Sequence, residues 1–282
     1  MGKLFKQLGK AACYTILFGG MQVIITFIGV TLIGIKLAMD TAAAGYGQSE
    51  AELADNIMIL TMENTGWIQV VSGVMTLAFA WLIFAVRKKK LLKEANVVPF
   101  PKNRILPIVL LGICTVLVVE GAFSLLPIPE STMLEYEESV MSLLAGSTLS
   151  IMLSTVIGAP IVEEVIFRGL VFSRLSKAMP IAAATILSSI IFGLFHGQII
   201  WVCYTTCLGL LMCFVAVNCK SVLASILFHM VFNFFGGTPL LGYLLGENET
   251  LMVIVQIAAL AVSIAMVYWM LKLSSLDRLK GE

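Results

Sequence analysis

Charged side chains are scarce in this 282-residue chain. They make up 12% of it, against 59% hydrophobic residues; a soluble domain carries about a quarter. That shortage excludes an ordinary soluble globular domain; the net charge of +1 says nothing about nucleic acid, which is not an expected partner, and the informative quantity is where the charges sit. Cysteine gives no covalent framework either. Cys13, Cys114, Cys203, Cys207, Cys213 and Cys219 all fall in or beside apolar runs. They show no zinc-ribbon spacing and read as small apolar helix residues rather than disulfides. Walker A, GxSxG and HExxH patterns are absent, as are internal repeats and low-complexity tracts. Histidine is the rarest informative residue, with only His196 and His229.

What the chain has is long apolar runs. A hydrocarbon core of about 30 Å takes roughly 20 helical residues. On that measure the sequence predicts an all-α, polytopic bundle of eight spans, at 11–37, 67–86, 105–126, 148–170, 180–197, 199–218, 221–237 and 251–271. The first run is too long for a signal-peptide core and lacks a clean cleavage site, so it is expected to stay. Gly2 suggests N-myristoylation, but Lys6 stands where that motif needs Ser or Thr. In the segment 40–66, Leu53, Ile57 and Leu60 fall at helical spacing and predict a short surface helix. Trp201, Tyr204, Tyr243, Tyr268 and Trp269 lie near span ends and read as interface anchors.

The few charges are strongly sorted. Lys3, Lys6 and Lys10 precede the first span, and seven basic residues from Arg87 to Arg104 follow the second. Arg174 and Lys177, then Lys220, then Lys272, Arg278 and Lys280 continue the series. The alternate connections carry acids instead: Asp40, Glu50, Glu52, Asp55 and Glu63; then Glu130, Glu135, Glu137 and Glu138; then Glu247 and Glu249. Lys36 is the exception, at the end of the first span, where it can snorkel. Basic loops face the cytoplasm, so an integral plasma-membrane protein with both termini cytoplasmic is expected. The basic linker 87–104 divides a two-span region, 1–104, from a six-span region, 105–282, whose polar clusters all lie in 148–237.

Ionisable groups at membrane depth are costly and mark function. Glu163 and Glu164 are adjacent and point about 100° apart on a helix. Arg168 is four residues beyond Glu164, on the same face, where an ion pair forms. One carboxylate is thereby balanced and the other is spare, as a general base requires. Pro160, one turn earlier, has no N–H and should loosen the helix. Phe192 and His196 are spaced to share a face, as are His229 and Asn233. Imidazole beside a spare carboxylate can hold a water, and an imidazole with an amide can donate to an oxyanion. Glu120, a further intramembrane acid, reads as a hydrogen-bonded packing residue.

The ordered trio Glu163-Glu164-x-x-x-Arg168, Phe192-x-x-x-His196 and His229-x-x-x-Asn233 resembles the CPBP family. This is the group of CAAX prenyl protease 2-like and bacteriocin-processing intramembrane proteases also called the ABI family. The resemblance implies a hydrolase that cleaves a peptide bond of a peptide or protein presented from the bilayer. Glu163 would activate water with help from His196, His229 and Asn233 would stabilise the oxyanion, and Glu164, Arg168 and Phe192 would organise the site. The family has been described both as glutamate proteases and as metalloproteases. Zinc, if used, would take Glu163, His196 and His229; catalysis without a cofactor is the favoured expectation. Two other readings stay open on the same residues: a non-catalytic bacteriocin-immunity or scaffold protein, and a proton-coupled transporter.

Overall fold

A computed structural model of the chain describes residues 2–44, 49–238, 240, 243, 246 and 248–279. Glu247 and Lys280 lie outside them, as do the side chains of Lys3 and Arg278. The described residues are helical, with no strand among them. In chain order the main helices are α1 (Gly2–Ala44), α2 (Glu50–Val86), α3 (Leu91–Glu94), α4 (Ile105–Leu125), α5 (Glu130–Leu143), α6 (Thr148–Leu175), α7 (Ile181–Leu194), α8 (Ile199–Cys219), α9 (Val222–Gly236) and α10 (Glu249–Leu279). Of these, α1, α2, α4, α6, α8 and α10 are long and apolar enough to cross a membrane. The polytopic helical bundle is therefore as expected. The remaining two spans, α7 and α9, are shorter at 14 and 15 residues, or about 21–23 Å at 1.5 Å per residue.

Two features differ from the sequence reading. The surface helix expected in 40–66 is not separate: Leu53, Ile57 and Leu60 lie on α2, which runs unbroken for 37 residues. Ser49 starts it through a capping box, its hydroxyl accepting from the Glu52 amide while the Glu52 carboxylate accepts from Ser49 N–H at 2.8 Å. No proline interrupts the helix, and its two glycines are contact points. A Cβ on Gly66 would come within 2.9 Å of Ser150, and one on Gly73 within 2.9 Å of Val162. The acidic connection after α4 also folds, into α5. Its Tyr136 packs edge-on against Trp201 and Phe123, and Phe123 against Tyr204. Trp201 and Tyr204 thus anchor a protein cluster at the acidic end of the bundle. Glu120 is exposed on α4 and makes no hydrogen bond to a described residue, contrary to the expected packing role.

The helix α6 is the hub, packing against α1, α2, α7, α8 and α9. Every residue from Glu164 to Phe172 is buried. At the basic end the linker is docked rather than loose. Ala95 is fully buried against Gly169, where an added Cβ would meet the Ala95 Cβ at 2.7 Å. The linker also pairs with the start of α9: Val222 N–H donates to Asn96 O at 3.0 Å, Asn96 Nδ2 to Lys220 O at 2.9 Å, and the Ser221 hydroxyl to Val98 O. Glu94 bridges Lys89 at 2.8 Å and Arg174, near the end of α6, at 2.7 Å. The hydrogen bonds from these two cations hold its carboxyl down at about 2. On the same end, buried Arg104 donates to Met270 O at 2.7 Å and pairs with Asp277 at 2.5 Å, tying α10 to α4.

Candidate active site

The helix α6 is not a uniform α-helix. Residues Met152–Gly158 and Glu164–Phe172 are wound as π-helix, with the α-helical turn Ala159–Glu163 between them. Pro160 explains the first wide turn. The Ala159 N–H bonds back five residues, to Ser154 O, and not to Thr155 O four residues back. The next donor that could reach Thr155 O with π spacing belongs to residue 160, and proline has none. The Thr155 carbonyl is therefore left without a helical donor at membrane depth, where bare backbone groups are costly. Asn233 on α9 supplies it: Asn233 Nδ2 donates to Thr155 O at 2.8 Å. Inserted wide turns of this kind recur at functional sites. Pro160 was legible as a disturbance, but Thr155 was not, because the carbonyl it orphans carries no side-chain signal.

Beyond that turn the two glutamates diverge as expected. Glu164 is completely buried and pairs with Arg168 Nη1 at 2.8 Å through Oε1. The Arg168 guanidinium lies over the Phe192 ring, 4.2 Å from its centroid. A fully buried cation is thus matched by one carboxylate and one aromatic face. Glu163, with 16% of its side chain accessible, faces α9 instead. His229 stands between the two: its Nδ1 is 3.2 Å from Glu164 Oε1, and its Nε2 is 3.9 Å from Glu163 Oε2. A carboxylate on one ring nitrogen fixes the imidazole's orientation and turns the other nitrogen toward Glu163.

His196 is placed differently from its sequence expectation. The helix α7 stops at Leu194, so His196 sits in the turn before α8 and does not continue the face of Phe192. The turn folds it back: Nδ1 lies 3.2 Å from Phe192 O and the two rings meet edge-on at 4.9 Å. Gly197, at φ +74, makes the reversal, a conformation that favours glycine. Phe192 is consequently the common neighbour of the site. Its ring also meets His229 at 6.1 Å and Phe167 at 5.3 Å, besides carrying Arg168.

The sequence-predicted residues thus fall into a connected set. Glu163, Glu164 and Arg168 come from α6, His229 and Asn233 from α9, and Phe192 with His196 from the α7 end. The imidazole facing the carboxylates is His229, whereas His196 touches the set through Phe192. The zinc alternative would draw on Glu163, His196 and His229. Among the described residues no three His, Cys, Asp or Glu side chains come together to hold an ion. His229 Nδ1 is directed to Glu164 and His196 Nδ1 to a backbone carbonyl, which leaves both Nε2 atoms free.

Residues 145–235 match the family described as type II CAAX prenyl endopeptidase Rce1-like. All three motifs lie inside that segment, so the CPBP resemblance holds over this part of the chain. A Bacillus subtilis (strain 168) protein named "Putative membrane peptidase YdiL" is 29% identical over 101 residues, covering 36% of this chain and 41% of that protein. The chain therefore matches less than half the length of that relative. No solved structure matches it significantly.

Proposed function

We propose that the chain is an intramembrane endopeptidase that hydrolyses a peptide bond in a membrane-presented peptide or protein, as in CAAX processing or bacteriocin and peptide processing. The observation that carries this is the unequal compensation of two neighbouring glutamates. Glu164 is neutralised by Arg168 at 2.8 Å, while Glu163 has no guanidinium and faces His229 at 3.9 Å. The Rce1-like match over the same residues, and a similar protein named as a peptidase, point the same way.

In this mechanism Glu163 takes a proton from water and the resulting hydroxide attacks the scissile carbonyl carbon. His196, with Nδ1–H donated to Phe192 O, presents Nε2 as an acceptor for that water. In its doubly protonated form His229 donates Nδ1–H to Glu164 and Nε2–H to the developing oxyanion; the second Asn233 amide N–H, not used by Thr155 O, adds to it. As the tetrahedral intermediate collapses, the C–N bond breaks and Glu163 returns its proton to the departing nitrogen. Arg168 pairs with Glu164, and Phe192 holds Arg168 and both imidazoles in place. No step is assigned to a metal ion here; zinc, if used, would be held by Glu163, His196 and His229.

The basic end of the bundle is assigned to the cytoplasm and the protein to the plasma membrane, with both termini cytoplasmic. The function is tested without knowing the substrate. Membranes expressing the wild type, Glu163→Gln and His229→Ala are compared for newly generated peptide termini. A set of termini present only with the wild type, at equal protein levels in the membrane, is expected. Identical termini in all three would remove the enzyme assignment and leave the immunity or scaffold reading; proton flux in liposomes abolished by Glu163→Gln would favour the transporter.

A further inference from the structure

A second feature lies away from the site, between α1 and α2. Here the two helices enclose a groove of about 490 Å³, within the roughly 300–1,000 Å³ typical of ligand sites. It is polarised along its length. Toward the middle of the bundle its walls are Ile25, Ile28, Ile68 and Val71, and toward the acidic end they include Lys36 and Asp40. The glycine at 29 keeps the groove narrow at its floor, where an added Cβ would lie 3.0 Å from Ile68. Trp67, 40% exposed, also lines the groove.

The polar end is unusual for this chain. Lys36 is the sole Lys or Arg between residues 11 and 86, the exception to an otherwise clean sorting of charge. Asp40 follows one turn later on the same face, about 6 Å farther along the axis. Both are exposed, and neither is ion-paired to the other or to another described residue. The helix α1 runs from the basic to the acidic end. Lys36 therefore lies nearer the apolar part and Asp40 nearer water. A phospholipid head group has the same order: phosphate on the glycerol side, then any ammonium outward.

We propose that this groove binds a phospholipid of the acidic-side leaflet whose head group ends in a primary ammonium, of the ethanolamine type. One acyl chain fills the apolar slot, Lys36 meets the phosphate, and Asp40 accepts hydrogen bonds from the ammonium. An anionic head group without an amine would meet repulsion from Asp40. A choline head group carries no N–H to donate to it. The selectivity follows from two opposite charges in a fixed order and not from net charge, which is zero for the pair.

The test uses the purified full-length chain in detergent with ethanolamine, choline and glycerol phospholipids of identical acyl chains, read by native mass spectrometry. The ethanolamine lipid is expected to bind about tenfold more tightly than the other two, the equivalent of one charge-assisted hydrogen bond. Lys36→Ala and Asp40→Asn should each bring it down to the choline level. The paired swap Lys36→Asp with Asp40→Lys keeps the charges but reverses their order, and should abolish the preference. Equal binding of all three lipids, preference for the glycerol lipid, or a preference that survives the swap would each overturn the proposal. These residues are exposed and distant in sequence from Glu163, so the outcome is independent of whether the chain proves to be a protease.

Discussion

The Thr155–Asn233 contact makes a quantitative prediction about how α6 is held in shape. In Asn233→Ala the Thr155 carbonyl loses its donor. The preceding turn cannot replace it, because Ala159 N–H is committed to Ser154 O and residue 160 is proline. A buried polar group left unpaired costs about 1–3 kcal/mol. Pro160→Ala restores an N–H five residues beyond Thr155, within reach of its carbonyl under π winding, and also permits a return to ordinary α winding. In that background the loss of Asn233 should cost only about 0.5 kcal/mol, the scatter expected between independent sites. The four proteins of the cycle are compared by thermal unfolding in one detergent. Coupling of about 1 kcal/mol or more, with the double variant no less stable than Pro160→Ala alone by more than the scatter, is the expected result. Additive losses would show that the carbonyl does not depend on Asn233, and the account of the wide turn would be wrong. Stability is the right readout because activity would be lost on removing Asn233 whether it acts on the helix or on the oxyanion.

The remaining predictions concern charge. Arg168→Ala leaves the fully buried Glu164 carboxylate without its cation and should destabilise the protein by about 3–5 kcal/mol; Arg168→Ala combined with Glu164→Gln should recover much of that, and equal losses in the single and double variants would refute the pairing. Glu94 provides a pH signature. Its folded value of about 2 lies below the 4.5 of the free group, so its stabilising effect is fully present above pH 4.5 and lost as pH falls toward 2. Because Glu94 is partly exposed, the effect is discounted to about 1 kcal/mol. Unfolding curves of the wild type and Glu94→Gln should therefore separate above pH 4.5 and converge near pH 2, and a constant offset across that window would contradict the assignment. For orientation, a reporter fused after Lys90 should read cytoplasm and one near Glu50 the outside; the reverse pair of results would invert the topology.

The parts of the molecule that were legible in the sequence are those where an ionisable residue interrupts an apolar run. Glu163, Glu164, Arg168, His196 and His229 stand out because burying them costs free energy that only partners offset, and one such pair, Glu164 with Arg168, lies on a single helix at i,i+4 spacing. The pairing of Glu164 with Arg168 was readable for that reason. The pairing of His229 with both glutamates was not, since it depends on how α9 packs against α6. Helix ends outside the apolar stretch were also poorly marked. The segments around Asp40 and from Glu50 to Glu63 are polar enough to end a hydropathy signal, yet contain no proline, so α1 and α2 continue through them. Conversely α7 ends at Leu194 inside an apolar run, and the local cues in the sequence are Gly197, which takes a positive φ, and Gln198, whose side chain caps α8.

The burial of the Glu164–Arg168 pair bears directly on why the site can use Glu163. Two adjacent carboxylates in a low-dielectric interior repel each other and are both costly to ionise. Arg168 removes one of them from that competition by pairing with Glu164 at 2.8 Å, and Phe192 supports the cation from the other side. His229 is then oriented by the carboxylate that Arg168 pairs with, leaving its second nitrogen directed at Glu163. In the proposed mechanism orientation is separate from chemistry: Glu164 holds and Glu163 exchanges the proton. A conservative Arg168→Lys change tests that separation. Lysine retains the charge but not the flat guanidinium that lies on Phe192, so His229 and His196 should lose their common support while Glu164 remains neutralised. The expected outcome is a fall in turnover with little change in thermal stability. A variant with wild-type turnover would mean that charge alone organises the site and that Phe192 is only packing.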